Sequence, residues 1–253
     1  MQFIDPNLRR EFFGWHSPSL GLDMPIVRYG NWGPALLLFP TAAGDFLEAE
    51  RMFLIKSIEP LIFAGRVQVF AVESINKHAW MNTKMPVWDQ ARNQKLYSSY
   101  LENEVVPHIR RVLQNPTARI GATGASFGAF YAANAFFRRP DMFQWLIAMS
   151  GFYDLRSGYL GGWFHDDVYF NNPASFIPNL HGEALDLLRH HSSIHILSGQ
   201  GAHEKPGASV HLSHLLSQKG IPHNLDLWGY DVPHDWPSWR DMLPHYLHNR
   251  LGW

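Results

Sequence analysis

Gly124-Ala125-Ser126-Phe127-Gly128 is the feature that most constrains what this chain can fold into. It follows a short apolar stretch at residues 118–123 and runs into the helix-forming residues 129–137. Strand, sharp turn and helix form the setting in which G-x-S-x-G becomes a nucleophile elbow. The serine then takes a strained backbone conformation that lifts its hydroxyl clear of the sheet, and small flanking residues let helix and strand approach closely. The pentapeptide alone is a common string. The strand before it and the helix after it are what make Ser126 the candidate nucleophile, and a serine so placed implies serine-hydrolase chemistry.

The rest of the chain alternates in the same rhythm. Unbroken apolar runs recur at residues 35–39, 67–72, 119–123, 145–149, 194–197 and 224–228, as expected of strands covered on both faces of a parallel sheet. Two β-type segments near residues 10–16 and 24–29 flank the turn Ser17-Pro18-Ser19-Leu20-Gly21, which predicts an antiparallel hairpin. Helices are predicted over residues 45–63, closed by Gly65, and 90–113, kinked or broken at Pro107. Further helices are expected over 126–138, over 208–219 ending at Gly220, and from Ser238 onward, interrupted near Pro244. The expectation is an α/β-hydrolase fold: a mostly parallel, doubly wound sheet with an N-terminal antiparallel hairpin, in a single domain over residues 1–253. Residues 151–180, rich in Gly, Asn, Pro, Tyr and Trp, break the rhythm and read as a lid-like loop insertion.

Composition bounds the partners. The 253 residues contain 21 Lys plus Arg and 22 Asp plus Glu, a formal net charge of −1, which gives no electrostatic reason to expect nucleic acid or an anionic membrane. No apolar run approaches the ~20 residues of a membrane span. Residues 1–6 show neither a basic n-region nor an apolar h-region, so a cytoplasmic location is expected. With no Cys, thiol catalysis, disulfides and thiolate metal sites are excluded.

In open α/β sheets ligands bind beyond the carboxyl ends of the strands. Polar groups cluster there: Thr41–Asp45 after the 35–39 run, Ser126, the segment Gly199-Gln200-Gly201-Ala202-His203-Glu204, and Asp231-Val232-Pro233-His234-Asp235-Trp236. Ser126, Glu204 and His234 stand in the chain order Ser, acid, His of an α/β-hydrolase triad. A serine hydroxyl is a weak nucleophile and needs a neutral imidazole to take its proton, which is the part His234 would play. Glu204 would fix the imidazole tautomer and stabilise the imidazolium. Asp154, Asp226, Asp231 and Asp235 are rivals for the acid. The oxyanion needs backbone donors, expected at the N–H of Phe127 and, from the 41–43 loop, of Ala42.

With these residues in view, the chain resembles the esterase D family of α/β hydrolases, which includes feruloyl esterases, S-formylglutathione hydrolases and the mycolyltransferase antigens. The resemblance rests on the hairpin turn 17–21, the loop 39–44, the helix carrying Tyr97, Tyr100, Leu101, Glu104 and Pro107, the elbow, and the ending His234-Asp235-Trp236-Pro237-Ser238-Trp239. It covers nearly the whole chain and is weakest over 151–180. It implies hydrolysis of small-molecule carboxylic esters through an acyl-enzyme, with no metal or organic cofactor. In the mycolyltransferase branch the acid is a Glu in a glycine-rich loop, which 199–204 matches; many other members have Asp there. The same branch keeps an acyltransferase open as an alternative.

Other features have bland readings beside sharp ones. Trp80, Trp163 and Trp236 are candidates to line a substrate pocket, with core packing an equal alternative. His211 with His214, and His245 with His248, have i, i+3 spacing, but without a third ligand they read as solvated helix faces. His190-His191 reads as a helix end. Asp166 and Asp167 read as solvated loop residues rather than Ca²⁺ ligands. Gly121–Gly128 also scans like the pyrophosphate turn of a nicotinamide-dependent reductase, though it sits mid-chain and no acid ends the 145–149 strand. Oligomeric state is not legible.

Overall fold

The apolar runs form the centre of an eight-stranded sheet in the computed structural model, which describes residues 3–249. In chain order the strands are β1 (Arg10–His16), β2 (Asp23–Tyr29), β3 (Ala35–Phe39), β4 (Gln68–Val72), β5 (Ile120–Ala125), β6 (Phe143–Met149), β7 (Ser193–Ser198) and β8 (Asn224–Leu227). They lie in the order β1-β2-β4-β3-β5-β6-β7-β8. The six from β3 to β8 run parallel; β1 pairs antiparallel with β2, and β2 with β4. Edge strand β1 alternates between exposed and half-buried residues, whereas β3, β4 and β5 are buried throughout. Apolar surface on both faces explains why the inner strands carry no alternation.

The helices are α1 (Glu48–Arg51), α2 (Leu54–Phe63), α3 (Val87–Tyr100), α4 (Val106–Val112), α5 (Phe127–Arg138), α6 (Asp166–Tyr169), α7 (Pro173–Phe176), α8 (Gly182–His190), α9 (Pro206–Gln218) and α10 (Trp236–Asn249). One core, with Leu37, Phe39, Phe130 and Leu212, lies between the sheet and α3, α5 and α9. The other, with Leu36, Leu38, Ile58 and Leu243, lies under α2 and α10. Among the described residues no helix is long and apolar enough to cross a membrane.

Several helix expectations need correction. The helix expected over 45–63 is two, because Phe53 takes a left-handed conformation (φ 62°) between α1 and α2. The 90–113 helix is interrupted just ahead of Pro107 by a π turn. Lacking an N–H, the proline leaves the carbonyl of Asn103 without its usual donor, and the helix widens into a π turn at Leu101–Val105 before continuing as α4. α10 begins two residues earlier than expected and runs through Pro244, held by the buried side chains of Met242, Leu243, Tyr246 and Leu247; its expected continuation past 249 lies outside the described residues. The stretch 151–180 is not all loop: it holds α6, α7 and short 3₁₀ turns. Asp166 and Asp167 sit in the first turn of α6, where Asp167 pairs with Lys95 at 2.8 Å.

The π turn carries Glu104, whose carboxylate accepts from Trp15 Nε1 (2.7 Å), Ser17 Oγ (2.9 Å) and the Ser19 N–H (3.0 Å). One side chain thereby clamps the β1–β2 turn to the helical layer. Burial would raise its pKa, but the hydrogen bonds from Ser19, Trp15 and Ser17 outweigh that and hold it below the ordinary carboxylate value.

The elbow is built on two glycines. Ser126 stands at φ 56°, ψ −118°, between β5 and α5. A methyl group on Gly124 would lie 2.4 Å from the carbonyl carbon of Gly128, and one on Gly128 would lie 2.4 Å from the Phe39 carbonyl oxygen and 2.8 Å from that of Pro40. The first turn of α5 is therefore pressed against both its own strand and the exit of β3.

Two substitutions test these contacts. Gly128→Ala must push α5 off the β3 exit, and is expected to cost about 1–3 kcal/mol in denaturant unfolding and to abolish activity before it unfolds the chain. Glu104→Gln is expected to cost about 1–3 kcal/mol at neutral pH. Because the folded-state pKa is depressed, that stabilisation is complete above the unfolded carboxylate pKa of about 4.3 and is lost as pH falls through the folded value. Melting curves of parent and variant should therefore converge in acid; a gap independent of pH contradicts the ionised clamp.

Candidate active site

Every element that bears a candidate group ends at the same edge of the sheet. The loop 40–44 leaves β3, Ser126 caps β5, Ser150 follows β6, Glu204 lies in the loop after β7, and His234 in the loop after β8. Parallel strands place all these tips side by side, although the residues are spread over most of the chain.

Ser126 is pinned from its neighbour strand: its N–H donates to the carbonyl of Met149, the last residue of β6, at 3.0 Å. Its own carbonyl accepts from the N–H groups of Ala129 and Phe130, which start α5. A positive φ in a residue with a Cβ is costly and persists only where the surroundings over-determine it. The Phe127 N–H lies at the open end of the helix, where amide donors and the helix dipole favour negative charge.

The loop after β3 is held from three sides. Thr41 gives its N–H and its hydroxyl to Glu48, both at 2.7 Å. The Thr41 carbonyl accepts from Asn76 Nδ2 (3.3 Å), and Asn76 Oδ1 accepts from the buried hydroxyl of Tyr131 on α5 (2.6 Å). The Thr41 N–H is thus engaged, whereas the amides of half-buried Ala42 and exposed Ala43 have no protein acceptor among the described residues.

Glu204 and His234 meet. His234 Nδ1 lies 3.3 Å from Glu204 Oε2; the carboxylate side chain is 1% exposed and the imidazole 25%. The two loops are zipped by main-chain bonds, from Gly201 N–H to Val232 O and from His234 N–H to Ala202 O, each 2.9 Å. Burial would raise the pKa of Glu204, but hydrogen bonds from His234, Ser150 and the Gly199 amide outweigh it, so the carboxyl stays below its ordinary value. An acceptor-only carboxylate at Nδ1 leaves Nε2 as the basic nitrogen of the ring.

Three of the four rival acids are engaged elsewhere. Asp154 caps a turn and pairs with Arg156 at 2.7 Å. Asp226, on β8, accepts from Trp228 just past the strand and from Tyr246 on α10. Asp235 caps the Trp236 N–H at 2.7 Å, and it and Asp231 are exposed.

The three tryptophans do not share one wall. Trp80 is buried, donates its indole N–H to Gln94 at 3.1 Å and meets the edge of Tyr159. Trp163 is half-buried and stacks on His165. Trp236 lies on the other face of the sheet against Trp239. The aromatic surface beside the elbow is instead built by Phe127, Phe152 and Tyr159, with Phe152 and Tyr159 stacked at 5.3 Å and Phe127 edge-on to both. Gly121 and Gly124 are paired within β5 to β3 and β6, so no open glycine turn is there to cradle a pyrophosphate.

The sequence reading missed Ser150, Ser198 and Trp239. Ser150 Oγ donates to Glu204 Oε1 at 2.5 Å, Ser198 Oγ lies 3.2 Å from Oε2, and Trp239 Nε1 donates to Ser150 Oγ at 3.0 Å. The available signal was position: both serines sit at strand tips.

Comparison with known proteins agrees with this architecture. MPT51 of Mycobacterium tuberculosis superposes with a TM-score of 0.73 at 17% identity, covering 96% of this chain and 98% of that one. S-formylglutathione hydrolase of Staphylococcus aureus gives 0.71 at 12%, covering 95% and 98%. A ferulic acid esterase of Anaeromyces mucronatus, in complex with ferulic acid, gives 0.70 at 12%, covering 97% and 91%. At such identities the likeness is one of fold, that of the α/β hydrolases. No curated protein matches the chain. The model of the Esterase family, described as "Putative esterase", matches residues 72–249, from the end of β4 through α10. With the elbow, the acid loop and the histidine loop all inside that match, the chain belongs to the Esterase family and is a carboxylic ester hydrolase of the serine-hydrolase type.

Proposed function

We propose that the chain cleaves esters through an acyl-enzyme on Ser126, with His234 as general base and Glu204 as the acid that orients it. The observation that carries this reading is the buried Glu204 carboxylate on His234 Nδ1, at the same sheet edge as a serine held in an elbow conformation. Ser126 Oγ attacks the ester carbonyl as His234 Nε2 takes its proton. The amides of Phe127 and Ala42 receive the charge that develops on the carbonyl oxygen. The tetrahedral intermediate collapses, the C–O bond to the alcohol breaks, and the imidazolium returns the proton to the leaving oxygen. Water, deprotonated by the same nitrogen, then attacks the acyl-enzyme, releasing the acid and restoring the serine.

The Phe127–Phe152–Tyr159 cluster begins at the residue after the nucleophile, and we assign the acyl or alcohol group of the substrate to it. Tyr159 comes from the 151–180 stretch, which on this reading is the lid-like insertion that sets substrate choice.

A fluorophosphonate probe with peptide mapping should label Ser126 alone. Ser126→Ala and His234→Ala are each expected to lower kcat on p-nitrophenyl esters by roughly 10⁴–10⁶-fold with the fold intact, and Glu204→Gln by less. Parental turnover by Ser126→Ala refutes the nucleophile. A silent Glu204→Gln refutes the acid.

A further inference from the structure

We propose that Ser150 is a positioning residue for catalysis: its hydroxyl, aimed by the indole of Trp239, holds the Glu204 carboxylate in the orientation that serves His234. This rests on the Ser126, His234 and Glu204 reading given above.

The direction of the relay follows from hydrogen-bond chemistry. An indole N–H can only donate. Trp239 Nε1 therefore occupies a lone pair of Ser150 Oγ, at 3.0 Å and in buried surroundings. The single hydroxyl proton of Ser150 is left to point away from Trp239, and the acceptor there is Glu204 Oε1 at 2.5 Å. With Oε1 so held, together with the Gly199 amide at 3.3 Å, Oε2 is presented to His234. A hydrogen bond onto a carboxylate is short and strong when the donor is fixed in advance. Trp239 also touches the other end of the relay, since its ring stands edge-on to the His234 imidazole, with centroids 5.1 Å apart. One side chain thus braces both partners of the pair.

The backbone supports a role for the hydroxyl beyond packing. Ser150 sits at φ 51°, in the left-handed region where glycine carries no steric penalty and serine does. Its N–H donates to Leu197 O on β7 (2.7 Å), and the preceding carbonyl, of Met149, receives the N–H of Ser126 (3.0 Å). The tip of β6 is therefore wired to the nucleophile on one side and to the strand that bears the acid loop on the other. A serine held in a glycine-like conformation at that junction fits a function for its side chain. The titratable groups facing Glu204 are His234 from the loop after β8 and the buried Tyr153 phenol from the segment after β6.

The test compares Ser150→Ala, Ser150→Gly and Trp239→Phe with the parent by steady-state kinetics across pH. Ser150→Gly suits the backbone, and Trp239→Phe keeps the ring while deleting the N–H. Fluorophosphonate labelling of Ser126 and the loss of activity in Ser126→Ala are established first on the parent. The expected result is a kcat lowered about 10- to 100-fold in Ser150→Ala and Ser150→Gly with KM nearly unchanged. The acid limb of kcat/KM should also move to higher pH, because a carboxylate relieved of the Ser150 donor keeps more of its charge facing the ring and favours the protonated, inactive imidazolium. Trp239→Phe should shift kcat and the limb in the same direction by less, and should add nothing in the Ser150→Ala background. If folded Ser150→Ala or Ser150→Gly keeps the parental kcat and acid limb while Ser126→Ala is inactive, the relay is wrong and the triad reading stands. If Ser126→Ala keeps full activity, both fall.

Discussion

The structure hangs on one forced close approach. The first turn of α5 lies against the carbonyls of Phe39 and Pro40 because Gly128 has no side chain, and against β5 because Gly124 has none. That contact puts Ser126 into its left-handed turn and brings the open end of α5 beside the loop after β3. Nothing local favours such a conformation in a serine. It survives because the N–H of Ser126 is tied to β6 and its carbonyl to α5, so relaxing φ would break the sheet edge and the helix start together.

The same edge shows why the remaining groups can come from distant parts of the chain. Parallel strands end in register, and each crossover helix returns the chain to the same side, so consecutive tips receive consecutive loops. On the proposed reading, the loop after β3 supplies the Ala42 amide, the tip of β5 the serine, the loop after β7 the carboxylate and the loop after β8 the imidazole. β6 supplies no member of the proposed triad, yet it bridges the serine and the acid through Met149 and Ser150. The acid loop and the histidine loop are joined by main-chain bonds, so the Glu204–His234 contact belongs to two stitched loops and not to two free side chains. Glu204 stays ionised although it is buried, because fixed donors replace the water it has lost.

Much of this was legible in the residues. Apolar runs without alternation announced inner strands such as Ala35–Phe39, since a strand covered twice needs no polar face. The hairpin was visible in its turn residues, and the elbow in its glycines. The misses have more than one cause. The break at Phe53 and the unbroken passage through Pro244 are places where packing overrode local propensity, whereas the widened turn before Pro107 follows from the missing N–H of the proline itself. The 151–180 stretch was read as a lid-like loop insertion without its helices, because α6 and α7 are too short to show a period.

The amino-acid order by itself determined the class of fold, the nucleophile candidate and the family, because periodicity, turn chemistry and a five-residue motif are local properties carried by neighbours in the chain. It left five acids competing for one imidazole, since partnership across a sheet edge is a matter of distance and has no signature in spacing. Tertiary structure decided that choice of contact. It sent Asp154, Asp226 and Asp235 to other partners and placed Glu204 on His234, and it revealed Ser150 and Trp239 behind the carboxylate. The physical reason is that a buried charge is tolerated only where several fixed dipoles converge on it, and convergence exists only once the strands are side by side.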